Sequence, residues 1–286
     1  MHLSHDPEPI SSSVNPSLSS TKPNRPNVGL GLYLSPPAVT KRTVLWALEI
    51  GYRHFDTAQY YENESQLGEA IRESGIPREQ VFLCTKILFP EGSMEGSLEK
   101  CKKSLKDMGV DYVDLFLIHS PTSGPNGRRE LWEALCRLKE EGGARQIGVS
   151  NYGVKHIEEI KTFSNVMPAV NQVEIHPWCQ QRPIIEHCKA NHITIQAYSP
   201  LVRNTKADHP VLRQIAETLG TSTTKVLLQW SLNQGYLPLP KSDDLGRLKE
   251  NFDVRGFVLC AGDMKRLNDL DEGMEGAVVP QYTEAP

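Results

Sequence analysis

The chain has no run of about 18 apolar residues, so no membrane-crossing helix is expected from its sequence. Its N-terminus has no apolar signal core, which makes the cytoplasm the expected compartment. Charge of neither sign dominates: Lys+Arg 31 stands against Asp+Glu 35, for a net charge of -4. That balance gives no reason to expect a nucleic acid or an anionic membrane as partner. There is no GxGxxG after the first strand candidate, no P-loop and no HExxH. GLGL at Gly29–Leu32 is too short a match to count. The six cysteines (Cys84, Cys101, Cys136, Cys179, Cys188 and Cys260) form no close CxxC pair and read as reduced structural residues. His176, His187 and His192 do not make a ligand set, so no metal is expected.

What is present begins with a tail. Residues 1–27 are dominated by serine and proline and offer little apolar area against the entropy of ordering, so a disordered tail is expected. From residue 28 to 286 the chain reads as one domain, in which strand-like and helix-like stretches alternate. VGLGLYL (Val28–Leu34) looks like a short strand or hairpin arm, followed by the helical VTKRTVLWALEIG. YRHFDT, VFLCTKI, VDLFLIH, ARQIGVS, AVNQVEIH, ITIQAYSP and YLPLPK are further strand candidates. Amphipathic segments lie between them, such as SLEKCKKSLKDMG with Leu98, Cys101, Leu105 and Met108 near one face. About eight βα repeats predict an α/β fold, a (β/α)8 TIM barrel with a short N-terminal hairpin. A doubly wound sheet is the structural rival.

Three chemically useful residues lie at the C-terminal ends of consecutive strand candidates: Asp56 in YRHFDT, and Lys86 and His119 after the apolar runs of VFLCTKI and VDLFLIH. In a barrel the C-terminal strand ends converge on one face. Tyr61 follows Asp56 by five residues and can fold back over that face. Taken singly, each has a plainer reading. Asp or Lys at a strand end often serves a structural ion pair, a tyrosine after a turn packs, and a histidine closing a strand is a satisfied core group.

The ordered set GYRHFDTAQYYENE, CTKI, VDLFLIHSP, GARQIGVSNY, NQVEIHPW, AYSPL and LPKSDDLGRLKEN strongly resembles the aldo-keto reductase superfamily. The resemblance covers about Val28 to Leu270. It implies a catalytic tetrad of Asp56, Tyr61, Lys86 and His119. Tyr61 would donate a proton to the substrate carbonyl oxygen as hydride reaches carbon. Lys86 would favour tyrosinate and ease that donation, since an isolated tyrosine, with a pKa of about 10, is a reluctant acid. Asp56 would hold Lys86, and His119 would orient the carbonyl.

The resemblance also implies a cofactor, NADPH/NADP+, because no side chain supplies hydride. Ser150, Asn151 and Gln172 would hold the nicotinamide carboxamide, and Tyr198 would stack on its ring. Ser199 and Leu201 would line the pyrophosphate path. Lys241, Ser242 and Arg247 match positions around a 2′-phosphate, with Glu250 and Asn251 near adenine. Asp243 and Asp244 are expected to face solvent; pointing inward, they would weaken anion binding and leave dual use open.

Substrate selection is placed in the loops. Tyr33 is expected at the pocket mouth, with Leu88, Phe89, Ser120 and Trp178 around it. Many relatives carry tryptophan at the positions of Leu88 and Ser120, so a less aromatic, roomier pocket is expected; SPTSGPNGR is a small polar loop beside it. Val202 replaces a common glycine after AYSPL. The function implied is NADPH-dependent reduction of an aldehyde or ketone by a monomer, with a small-molecule carbonyl compound as its only partner. The alternative is a barrel retained as a cofactor-binding or partner-binding subunit with little turnover.

Overall fold

The structure, a computed structural model, describes residues 28–285. The expected tail, residues 1–27, lies outside them. Strands and helices alternate along the whole described chain. β1 (Leu30–Gly31) leads to α1 (Pro37–Ile50), β2 (His54–Asp56) to α2 (Glu64–Glu73), β3 (Phe82–Ile87) to α3 (Met94–Met108) and β4 (Val113–Ile118) to α4 (Gly124–Glu140). Then come β5 (Ala144–Ser150), α5 (Val154–Lys161), β6 (Val170–Glu174), α6 (Arg182–Ala190) and β7 (Thr194–Tyr198). After α7 (Pro210–Thr218) and α8 (Thr223–Asn233), β8 (Leu237–Leu239) precedes α9 (Leu245–Phe252) and α10 (Ala261–Asn268).

The strands run β1 to β8 in sequence order, with each successive pair parallel. Gly29 N donates to Pro238 O and Gly31 N to Pro240 O, both at 3.0 Å, which brings β1 against β8. The ring is a (β/α)8 barrel, and the doubly wound rival falls because the strand order never reverses. Of the two readings of Val28–Leu34, a short strand or a hairpin arm, the structure has the strand. The segment's central residues form the first barrel strand, bonded to β2 on one side and to the β8 segment on the other. No hairpin occurs among the described residues.

Helix boundaries follow local chemistry. Pro37 occupies the first turn of α1, where its missing N–H has no intrahelical acceptor to lose. Ser93 Oγ caps α3 by accepting from Gly96 N at 3.1 Å, and Gly109 ends it in the left-handed region. The segment SPTSGPNGR is not the free polar loop expected. Pro121–Ser123 form a 3-10 turn and α4 begins at Gly124, with proline in its first turn. Arg128 fixes that start, donating from Nε and Nη2 to Glu159 at 2.6 and 3.0 Å and from Nη1 to Pro121 O at 2.9 Å.

Alternation along the strands sorts the side chains into two shells. Phe55, Leu83, Ile87, Phe116, Ile118 and Val173 join the large core between sheet and helices. Cys84, Leu115, Leu117 and Val170 form a separate small cluster inside the ring. Two residues further along those inward rows come Lys86, His119 and Gln172, at the C-terminal mouth. The outer layer is tight where α2 meets α3: a Cβ added to Gly68 would lie 1.9 Å from Met108 O. Backbone cannot yield there as a side-chain end can. Gly68→Ala is therefore expected to cost about 1–3 kcal/mol, read as a lower urea midpoint; an unchanged midpoint would show that the two helices separate freely.

Candidate active site

The inward row of β2 delivers Asp56, that of β3 Lys86, and the end of β4 His119. The 3-10 turn Gln59–Tyr61 folds Tyr61 back over them. Lys86 is fully buried and its ammonium directs all three protons. They go to Asp56 Oδ1 at 2.5 Å, to Thr57 O at 2.9 Å and to Tyr61 Oη at 3.4 Å. Tyr61 Oη also lies 3.4 Å from His119 Nε2. The other carboxylate oxygen, Asp56 Oδ2, accepts from Gln172 Nε2 at 2.7 Å. All four sequence-identified residues thus share one connected cluster.

Burial, the largest influence on Tyr61, pushes its hydroxyl up to about 12, and the nearby Lys86 charge pulls the other way without prevailing. Lys86 acts on Tyr61 in the direction the sequence-based reading gave it, and burial outweighs that effect. Burial also works against a charged Lys86. The charges of Asp56 and Tyr61 outweigh it, so the ammonium is held above its ordinary range. His119 is pushed down to about 3 by burial and then by Lys86, which leaves it a neutral imidazole at physiological pH.

His54, one strand pair below, is pushed down to about 4 by burial. Both histidines have folded-state values below the ordinary 6.5, so the unfolded chain takes up protons first as pH falls. Their stabilising effect is complete above about pH 6.5 and is lost progressively towards about pH 4 for His54 and about pH 3 for His119, by roughly 3 and 5 kcal/mol respectively. Urea midpoints should fall across that window, and less steeply in His54→Asn. An identical slope in the variant would remove His54 from the account.

Above this cluster the mouth is lined by amides. Ser150 Oγ donates to Gln172 O at 2.8 Å. Asn151, in the left-handed region, donates from Nδ2 to His119 O at 3.0 Å and to Ser150 Oγ at 3.1 Å. Tyr198 Oη donates to Asn151 Oδ1 at 2.8 Å. Gln172 Nε2 reaches Gln196 Oε1 at 2.8 Å as well as Asp56. Ser150, Asn151, Gln172 and Tyr198 are therefore joined to the four-residue cluster by direct bonds. Ser199 and Leu201 follow on a strained turn in which Ser199, Val202, Arg203 and Asn204 all have positive φ. For β-branched Val202, at φ 51°, that is a real departure from its preferred backbone.

Lys241, Ser242, Arg247, Glu250 and Asn251 fall after β8 and on α9. Ser242 Oγ accepts from Asp244 N at 3.1 Å and Arg247 Nε at 3.3 Å. Asn251 is buried and Glu250 half-buried. Asp244 caps α9 through Arg247 N at 2.9 Å and is exposed, as expected. Asp243 is not: it turns back towards α1 and accepts from Ser35 Oγ at 2.5 Å and Thr43 Oγ1 at 3.2 Å, while pairing with Lys241.

A cleft of about 530 Å³ opens beside Tyr61, walled by Tyr33, Leu34, Pro37, Tyr60 and Glu62. Tyr33 packs 5.1 Å from the Tyr61 ring, at the mouth where it was placed. Leu88 is half-buried, Phe89 is exposed and Ser120 is buried against Thr122. None of the three lines this cleft. Trp178 needs correction: it is fully buried, with its ring beside His209 and His176, and presents no wall to a substrate. Tyr60, Leu34 and Glu62 were missed. The Tyr60–Tyr61 doublet was the available signal, since a 3-10 turn turns adjacent residues to different sides. Gln196 and Glu174 were missed too. Both are polar residues in inward positions, Glu174 two places beyond Gln172 in β6 and Gln196 in the middle of β7.

Glu174 is fully buried and anchors the C-terminal segment. It accepts from His176 Nε2 at 2.8 Å, Val278 N at 2.7 Å, Val279 N at 3.1 Å and Gln281 Nε2 at 2.7 Å. All six cysteines are free. Among the described residues no group of three His, Cys, Asp or Glu could hold a metal. Nor is any described helix long and apolar enough to cross a membrane.

A barrel with a lysine–carboxylate pair, a tyrosine and a histidine at its mouth defines a class of oxidoreductase, and comparison with known proteins gives the same class. Residues 33–272 match the model of the Aldo/keto reductase family, and the chain belongs to that family. It is 40% identical over 251 residues to the 9,11-endoperoxide prostaglandin H2 reductase of Trypanosoma cruzi, covering 86% of this chain and 88% of that protein. It is 39% identical over 226 residues to glyoxal reductase of Bacillus subtilis, covering 79% and 81%. The crystal structure of the Bombyx mori aldo-keto reductase in complex with NADP superposes with a TM-score of 0.82 at 29% identity, covering 91% and 93%.

Proposed function

We propose that this protein reduces an aldehyde or ketone to an alcohol with NADPH, using Tyr61 as the proton donor. The observation that carries the reading is Tyr61 Oη held between Lys86 Nζ and His119 Nε2, 3.4 Å from each, at the floor of an open cleft.

The mouth residues suit a nicotinamide cofactor by their chemistry. A carboxamide needs donors and acceptors together; Gln172 Oε1 is held in place as an acceptor by the bonds its Nε2 makes, and Asn151 Nδ2 or Ser150 Oγ would donate by giving up an internal bond. Tyr198 presents a flat ring anchored by its hydroxyl to Asn151. Lys241, Ser242 and Arg247 supply charge and hydrogen bonds for a 2′-phosphate. The relative from Bombyx mori binds NADP, and that from Bacillus subtilis is a reductase of glyoxal, an aldehyde compound. When bound, reduced nicotinamide supplies the hydride that carbon requires.

The chain's own residues handle the proton. A neutral His119 can donate its ring N–H to the carbonyl oxygen without carrying charge of its own. Tyr61, with its value raised to about 12, stays protonated at neutral pH and so has a proton to give. As negative charge grows on the substrate oxygen, that oxygen becomes a stronger base than tyrosinate, and the phenolic proton moves to it. The tyrosinate left behind lies 3.4 Å from the Lys86 ammonium, whose position Asp56 and Thr57 fix beforehand. The walls Tyr33, Tyr60 and Leu34 favour an apolar body on the carbonyl compound, with no tryptophan narrowing the entrance.

The test is loss of NADPH absorbance with a panel of aldehydes and ketones, run beside Tyr61→Phe. Turnover in the wild type that disappears in the variant supports the reading. Tight NADPH binding with no turnover on any carbonyl compound would favour the binding-subunit alternative.

A further inference from the structure

Asp243 sits against the cations assigned to the adenosine end of the cofactor. Its Oδ2 pairs with the Lys241 ammonium, while its Oδ1 accepts from Ser35 Oγ at 2.5 Å and Thr43 Oγ1 at 3.2 Å. The two hydroxyls come from across the β1–β8 seam, in the loop before α1 and in α1 itself. They aim the carboxylate and hold it there. The Ser35 loop is itself tied down: its carbonyl accepts from Asn63 Nδ2 at 3.0 Å and Thr40 Oγ1 at 3.1 Å, and fully buried Asn63 takes Thr57 Oγ1 at 2.6 Å. The carboxylate is thus a built feature of the site, continuous with the turn that leads to Tyr61.

We infer that Asp243 makes this protein a dual-cofactor enzyme that accepts NADH as well as NADPH. The inference rests on the proposed placement of the adenosine end at Lys241 and Arg247. A 2′-phosphate needs an unmatched cation, and the charge of Lys241 is already matched. The phosphate must either share the ammonium with a fixed carboxylate or push that carboxylate off its two hydroxyls. Like charges this close repel strongly when only partly solvated. A ribose 2′-hydroxyl is a proton donor, and an oriented carboxylate is the acceptor it needs. One side chain therefore weakens NADPH and supports NADH. Arg247 keeps the site from favouring NADH alone. Among the described residues it has no carboxylate partner, and its Nε rests on Ser242 Oγ at 3.3 Å.

The experiment titrates NADPH and NADH separately by quenching of protein fluorescence, at one fixed ionic strength, for the wild type, Asp243→Asn and Asp243→Ser. Wild-type Kd values for the two cofactors are expected within about tenfold of each other, the scale of one partly solvated charge interaction. In Asp243→Asn, NADPH should tighten and NADH weaken, moving the ratio by about tenfold or more towards NADPH. Asp243→Ser, which removes the charge with a smaller group, should move it the same way and covers the case in which the asparagine variant melts early. A wild type that prefers NADPH by more than about a hundredfold, with a ratio unmoved in both variants, would overturn the inference. Failure of the wild type to bind either cofactor would overturn it together with the reading it rests on. Binding and Tyr61-dependent turnover with an unmoved ratio would overturn the inference alone.

Discussion

Tyr61→Phe is expected to lower turnover by about 10²–10⁴-fold, the usual contribution of a positioned proton donor. It should leave cofactor binding within about a factor of two and thermal stability within about 1 kcal/mol. The hydroxyl's two contacts are long, at 3.4 Å each, so removing it breaks little that holds the fold. The ring remains to pack against Tyr33. A variant retaining more than about a tenth of wild-type turnover would require another donor, since general acid catalysis is worth far more than that. His119 is the first candidate, and its pH profile would then show a limb that the tyrosine mechanism lacks.

Lys86→Met should fail in two ways at once. Its ammonium is what the buried Asp56 carboxylate faces, and with the cation gone that charge is left in the barrel interior with only the Gln172 amide. Breaking a buried pair from one side costs about 3–5 kcal/mol, so a large drop in melting temperature is expected. Turnover should fall as far as in Tyr61→Phe, because the tyrosinate formed on proton transfer loses its neighbouring charge. The double variant Lys86→Met/Asp56→Asn separates the two effects. It should regain most of the lost stability, with neither charge left buried, and none of the turnover. Recovery of activity along with stability would mean that Lys86 acts only on the fold.

Which of these features could be read from residues alone depended on their range. Lys86 and His119 close inward rows whose other members are apolar, Asp56 follows His54 on the inward row of β2, and alternation alone brings such positions to one mouth. Their local rows carry the information. Asp243 was misjudged because its hydroxyl partners Ser35 and Thr43 lie 208 and 200 residues away, and only barrel closure brings them together. Trp178 was misjudged because a large aromatic after a strand suits a pocket wall and a buried plug equally well; burial decides, and burial belongs to the fold. The start of α4 was missed for a related reason. Its first turn is poor in helix formers, and the bidentate Arg128–Glu159 contact with α5 holds it. The net shift of Tyr61 needed a balance between burial and charge that the order of residues does not contain.

The bonds of Glu174 and of the β1–β8 seam have a consequence for how the protein is made. β1 leaves the ribosome before β8, yet its hydrogen-bonding partners at Pro238 and Pro240 come only with β8. Glu174 emerges earlier than the three groups at Val278, Val279 and Gln281 that satisfy it. Until those partners arrive the β1 edge is unpaired on one side, and Glu174 cannot be buried without losing water that nothing has yet replaced. The ring can therefore close only once the segment from β8 to Gln281 has been made, and no shorter stretch of this chain completes the mouth.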